Sequence, residues 1–88
     1  MSMCAIRFSD HALLKLEILR AHDVHLNTKL IQDIVSKPEK LMEGYKGRKI
    51  AQRSFDPDHV LRVVYEEHLG EIVIITFYPG RRERYDKD

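Results

Sequence analysis

The sequence predicts an α+β domain of two layers. Two N-terminal helices pack on one face of an antiparallel β-sheet, in the order β-α-α-β-β-β. Three observations predict it. Residues 9–36 hold two stretches with helical spacing of apolar residues. Residues 40–78 hold β-branched and alternating runs separated by turn signals. The chain of 88 residues suits one domain, 1–88. So short a chain buries only about 60–65% of its unfolded surface, so its core must be compact.

Residues 3–8, partly β-branched, read as a short first strand. Ser9 suits an N-cap, and Asp10 places negative charge where the helix dipole favours it. His11 to about His22 then reads as a helix. Leu13, Leu16 and Leu19 or Arg20 follow its spacing, with Leu14 and Ile18 beside them, which gives a broad stripe for packing on a sheet. Residues 22–26 connect. Asn27 or Thr28 caps a second helix through about Ser36. Leu30, Ile31, Ile34 and Val35 form its apolar side, and Lys29, Gln32, Asp33 and Ser36 its polar side. Pro38 stops it.

Lys40 to Tyr45 reads as a short strand or an edge. Lys46-Gly47 is a turn, Arg48 to Phe55 a strand of mixed polarity, and Asp56-Pro57-Asp58 a second turn. Val60 to Glu66 and Ile72 to Tyr78 form a hairpin. A three-residue loop, His68-Leu69-Gly70, lets Gly70 take the left-handed position and pairs Glu67 with Glu71. That register puts Leu61, Val63, Tyr65, Val73, Ile75 and Phe77 in the core. Arg62, Val64, Glu66, Ile72, Ile74, Thr76 and Tyr78 then lie on the open face. A two-residue loop would shift the pairing and mix the faces. The chain ends in a charged tail with no further helix.

Composition excludes several classes. The hydrophobic share of 43% and the charged share of 33% exclude a disordered chain. No stretch approaches the roughly 20 apolar residues of a membrane span, and the N-terminus lacks a signal-peptide run. A lone cysteine, Cys4, excludes an internal disulfide framework and a cysteine zinc site. It fits a reducing cytoplasm and the role of a small buried hydrophobe in the first strand. Five histidines include one close pair, His22 and His25, in a connector, which points to no metal. There is no Gly-rich phosphate loop and no nucleophile elbow, so no cofactor is expected. Net charge is +1, so an anionic partner must find a local patch rather than a global field.

The arginines supply that patch. Arg62 is mid-strand among apolar neighbours and needs a partner, either Glu66 or Glu83 or a bound phosphate. Lys49 and Arg53 alternate on the preceding strand. Arg81, Arg82, Arg84 and Tyr85 follow the last strand, either as a solvated charge run or as phosphate ligands. Guanidinium forks suit phosphate because each can bind it through two hydrogen bonds. His11 and Lys15, one turn apart, share a helix face. His11 is either a surface histidine of the first turn or, if it reaches the open side of the sheet, a general base, since imidazole ordinarily titrates near neutrality.

Arg62-Val63-Val64-Tyr65, an apolar strand, and Gly80-Arg81-Arg82-Glu83-Arg84-Tyr85 resemble the C-terminal half of RelE/ParE-type toxins. Those carry an R-V-V-Y strand, an apolar strand and a G-x-R-x-x-x-Y-like end. Gly47 to Arg53 resembles the basic strand before them. His11 and Lys15 resemble the H-A-x-x-[KR] start of a RelE-like subgroup of small domains. The resemblance is close over about half the chain and topological elsewhere. It implies a toxin of a toxin–antitoxin system that cleaves mRNA, including ribosome-bound mRNA, without a metal. Its partners would be RNA and an antitoxin protein, with no membrane and with homodimerisation open. Carried over, Arg62, Arg82, Tyr85 and His11 are the catalytic candidates. Lys49, Arg53, Arg81, Arg84 and Lys15 are the RNA-phosphate ligands. A ParE-like or decayed toxin that binds a protein without catalysis, and RNA binding without cleavage, are the alternatives on the same fold.

Overall fold

The computed structural model describes residues 5–23 and 26–85, with Arg84 and Tyr85 described in their backbone alone. The expected Cys4 and His25 positions, and the side chain of Tyr85, lie outside the described residues. The elements run β1 (Ala5–Phe8), α1 (Asp10–Ala21), α2 (Thr28–Ser36), β2 (Lys40–Glu43), β3 (Lys49–Asp56), β4 (His59–His68), β5 (Glu71–Arg81) and α3 (Arg82–Tyr85). A 3-10 turn, Tyr45–Gly47, joins β2 to β3. The class is α+β, as expected, with one sheet of five strands ordered β1-β5-β4-β3-β2.

Three expectations are corrected. The sheet is mixed, because β1 pairs parallel to β5 at one edge. The tail is not wholly irregular. Arg82 N–H donates to the Asp58 carbonyl at 2.7 Å, which turns the chain back as α3 against the β3–β4 turn. The α1 stripe is narrower than its apolar content suggests. Ala12 and Leu16 are buried, whereas Leu13, Leu14 and Ile18 are each about half exposed. The core meets only the side of α1 that carries Ala12 and Leu16, with Leu19 packed against it.

The caps explain where the helices begin. Ser9 Oγ accepts from Ala12 N–H at 3.1 Å, and Asn27 Oδ1 accepts from Leu30 N–H at 2.8 Å. Each satisfies a backbone donor that the first turn leaves without a partner. Both helices lie on one face of the sheet. Ile31, Ile34 and Val35 of α2 join Ala12 and Leu16 of α1 over Ala51, Leu61, Val63, Tyr65, Ile72, Ile74 and Phe77.

The hairpin register differs from the expected one in two linked ways. The loop has two residues, because His68 pairs with Glu71. Leu69 (φ 50°) and Gly70 (φ 81°) are both left-handed, as a type I′ turn requires. That turn puts Ile72 and Ile74 in the core, where the sequence pointed to Val73 and Ile75. Between Val64 and Tyr65 the register then slips by one, because β5 carries an extra residue, Ile75. This bulge restores the alternation. Beyond it Val64 faces Thr76, Val63 faces Phe77 and Arg62 faces Tyr78. Leu61, Val63, Tyr65 and Phe77 are therefore buried, as expected.

The bulge sits where β1 gives out. The last β1–β5 pair is Phe8 with Ile74. Ser9 then takes over, its N–H donating to the Ile74 carbonyl at 3.0 Å and its Oγ donating to the Ile75 carbonyl at 3.0 Å. One serine thus starts α1 and satisfies the acceptors that the bulge would leave bare.

Candidate functional site on the open sheet face

Alternation puts Gln52, Arg62 and Tyr78 in one row across β3, β4 and β5, on the face away from the α1 and α2 layer. Gln52 is the buried polar residue of the described chain, at 2% exposure. A buried amide needs partners, and Arg62 Nη1 donates to its Oε1 at 2.7 Å. Arg62 Nε donates to the Tyr78 hydroxyl at 3.0 Å, with the guanidinium carbon 5.7 Å from the ring centre. The arginine is thereby held at two nitrogens of its fork. Gln52 and Tyr78 are thus two partners of the mid-strand arginine, for which the sequence offered Glu66, Glu83 or a bound phosphate. Glu66 is instead paired with Arg48 at 2.9 Å.

A second cation comes from α1. With β1 ended at Phe8, the outer edge of β5 beyond Ile74 is left to that helix. Lys15 reaches across it. Its Nζ lies 3.4 Å from Thr76 Oγ1, 5.8 Å from the Tyr78 ring centre and 5.9 Å from that of Phe77. The lysine is half-buried there, and desolvation lowers its pKa from the ordinary value. Tyr78 thus has two cations beside it. Because its oxygen accepts from Arg62, its own O–H proton can be given to a ligand. Two fixed cations and a hydroxyl donor on an open face make a seat for a phosphoryl oxygen.

The other candidates fall into separate places. Lys49 and Arg53 alternate onto the helix side, opposite Arg62. Lys49 pairs with Glu67, which raises its pKa through the hydrogen bond and charge of that carboxylate. Arg53 binds the Asp33 carboxylate at 2.8 Å and lies 3.4 Å from the Lys37 carbonyl, so it fastens the C-terminal end of α2 to β3. Arg81 and Arg82 line a cavity of about 610 Å³ at the turn end of the sheet, with Pro57, Asp58, His59 and Glu83. His11 is exposed on α1, one turn before Lys15. Arg84 and Tyr85 belong to α3 by their backbone. The structure therefore brings together Arg62 and Lys15 from the candidate set. It adds Gln52, Tyr78 and Thr76, which that set lacked. Tyr78 and Thr76 were legible as residues on the face of Arg62. Gln52 depends on the β3–β4 register, for which the sequence carries no turn-length signal.

Among the described residues no three His, Cys, Asp or Glu side chains gather to hold a metal ion, and no helix is long and apolar enough to cross a membrane. No family model, no curated protein and no solved structure matches the chain.

Proposed function

We propose that the chain is a RelE-like toxin, an endoribonuclease that cleaves mRNA at the Arg62–Tyr78–Lys15 cluster and is silenced by an antitoxin protein. The observation that carries this reading is the convergence of Arg62 and Lys15 on Tyr78, on the sheet face that the α1 and α2 layer leaves open. The motifs that resemble the toxin family include Arg62 itself. Cleavage by attack of the RNA 2′-hydroxyl gathers negative charge on a five-coordinate phosphorus. Preorganised Arg62 and Tyr78 O–H stabilise that charge without having to reorient. A cytoplasmic site of action, where mRNA and ribosomes are, belongs to the same proposal.

Purified protein incubated with RNA, with and without ribosomes, tests it. Cleavage by the wild type that falls by about 10²-fold or more in Arg62→Ala supports the reading. Cleavage unchanged in an Arg62→Ala, Tyr78→Phe double variant overturns the residue assignment. RNA retention that weakens steeply with salt, without cleavage, would reassign the chain as an RNA-binding module.

A second reading is a non-catalytic, ParE-like module that binds a protein. The half-exposed Leu14 and Ile18, one turn apart on the outer side of α1, favour it. Growth arrest on expression with intact RNA and a co-purifying protein would select it.

A further inference from the structure

We propose that Lys15 is the general acid of the cleavage reaction, giving its Nζ proton to the departing 5′ oxygen of the RNA. The inference rests on the ribonuclease reading above and assigns a chemical role within it.

The division of labour follows from what each group can do. A guanidinium does not give up its protons in proteins, so Arg62 can serve as a fixed charge but not as an acid. It is also fixed at two nitrogens by Gln52 and Tyr78. It is built to hold charge. Lys15 is held differently. Its one hydrogen bond among the described residues is the 3.4 Å contact to Thr76 Oγ1, and the rings of Phe77 and Tyr78 lie within 6 Å. Ring faces attract an ammonium without taking its protons. No carboxylate pairs with Lys15 among the described residues, so its protons are not already committed to an anion. Desolvation favours the neutral amine, which makes the ammonium a stronger acid than a lysine in water.

The step balances. The 2′-hydroxyl loses its proton to water or hydroxide, and the 2′ oxygen bonds to phosphorus. The bond from phosphorus to the 5′ oxygen breaks, and that oxygen takes a proton from Lys15 Nζ. The products are a 2′,3′-cyclic phosphate end and a 5′-hydroxyl end. The neutral amine regains a proton from water.

A sulfur leaving group separates this role from positioning. A 5′-thiolate departs without protonation, so an RNA with sulfur at the bridging 5′ position needs no acid. Lys15→Ala is expected to slow cleavage of the ordinary substrate by about 10²- to 10⁴-fold while cleaving the thio substrate near the wild-type rate. Lys15→Arg keeps the charge but not a transferable proton, and is expected to behave as Lys15→Ala. Equal losses on both substrates, or full activity in Lys15→Arg, overturn the acid role while the ribonuclease reading stands. A wild type that cleaves neither substrate overturns the ribonuclease reading, and this inference with it.

Discussion

The two halves of the β4–β5 hairpin do different work on the open face, although they are built from similar residues. Near the turn, charges are matched. Arg48 and His68 both engage Glu66, and Arg7 pairs with Glu71 at 3.1 Å. These pairs are partly exposed and of the kind that contributes little to stability. Beyond Ile75 the cations meet an amide, a hydroxyl and aromatic rings instead. Charge that is neutralised locally has nothing left for a ligand. Lys15, held by a hydroxyl and ring faces with no carboxylate paired to it among the described residues, is still available to one. One extra residue divides the two regimes, because the bulge decides which side chains of β5 stand beside Arg62.

The largest effect should come from adding to that divider. Inserting one alanine between Ile75 and Thr76 shifts the far half of β5 by one residue against β4, so Phe77 would leave the core and Tyr78 would enter it. We expect loss of cooperative unfolding by circular dichroism. A native-like melt would mean that the bulge absorbs the added residue and does not set the register. Next is Phe77→Ala, which truncates a fully buried ring and is expected to cost about 3–5 kcal/mol. Val73→Ala, on the open face of the turn half, should cost well under half as much. Equal urea midpoint shifts would erase the difference between the halves.

Tyr78→Phe removes one hydroxyl and leaves Arg62 Nε without its acceptor. About 1 kcal/mol of stability should go and, on the proposed ribonuclease reading, much of the RNA cleavage with it. A stability loss with full cleavage would make the distal half structural as well. Leu69→Asn sharpens the turn end. Leu69 is fully exposed at φ 50°, a conformation that disfavours leucine and suits asparagine. A gain of roughly 0.5–1 kcal/mol is expected in thermal unfolding, with the proposed cleavage unaltered.

The smallest effect concerns acid. Hydrogen bonds from Arg48, then His68, hold Glu66 below its ordinary value of 4.5. A carboxylate whose pKa is depressed by folding adds stability above its unfolded pKa and loses it as pH falls through its folded one. The stability gap between wild type and Glu66→Gln should therefore be present at pH 7 and shrink as pH falls below the ordinary value of 4.5 through the depressed folded one. A gap that persists at pH 2 would show that the pair is not its source.

This division also explains what could be read in advance. The caps at Ser9 and Asn27, the stop at Pro38, the α2 stripe and the strands all follow from local chemistry. Arg62, Thr76 and Tyr78 could be placed on one face because the far half of the hairpin ends in the alternation that the apolar pattern suggests. The near half could not be read. Leu69-Gly70 is an unusual pair for a type I′ turn, and its shift is undone by a bulge whose carbonyls are satisfied by Ser9, far away in sequence. Gln52 was missed for a similar reason, since its place beside Arg62 is a matter of strand pairing. Lys15 was legible as a cation on a helix face. Its meeting with Thr76 depends on β1 stopping at Phe8.

The Ser9 hydroxyl has a consequence for the order of assembly. It joins residues 66 apart, and Lys15 meets Thr76 across a separation of 61. Contacts across such spans close large loops and form slowly relative to neighbouring hairpins. Strands β3, β4 and β5 are consecutive and can pair early, carrying Gln52, Arg62 and Tyr78 with them. Lys15 joins only when the first strand docks beside the last. During folding, the arginine and tyrosine of the proposed site would therefore be in place before its lysine arrives.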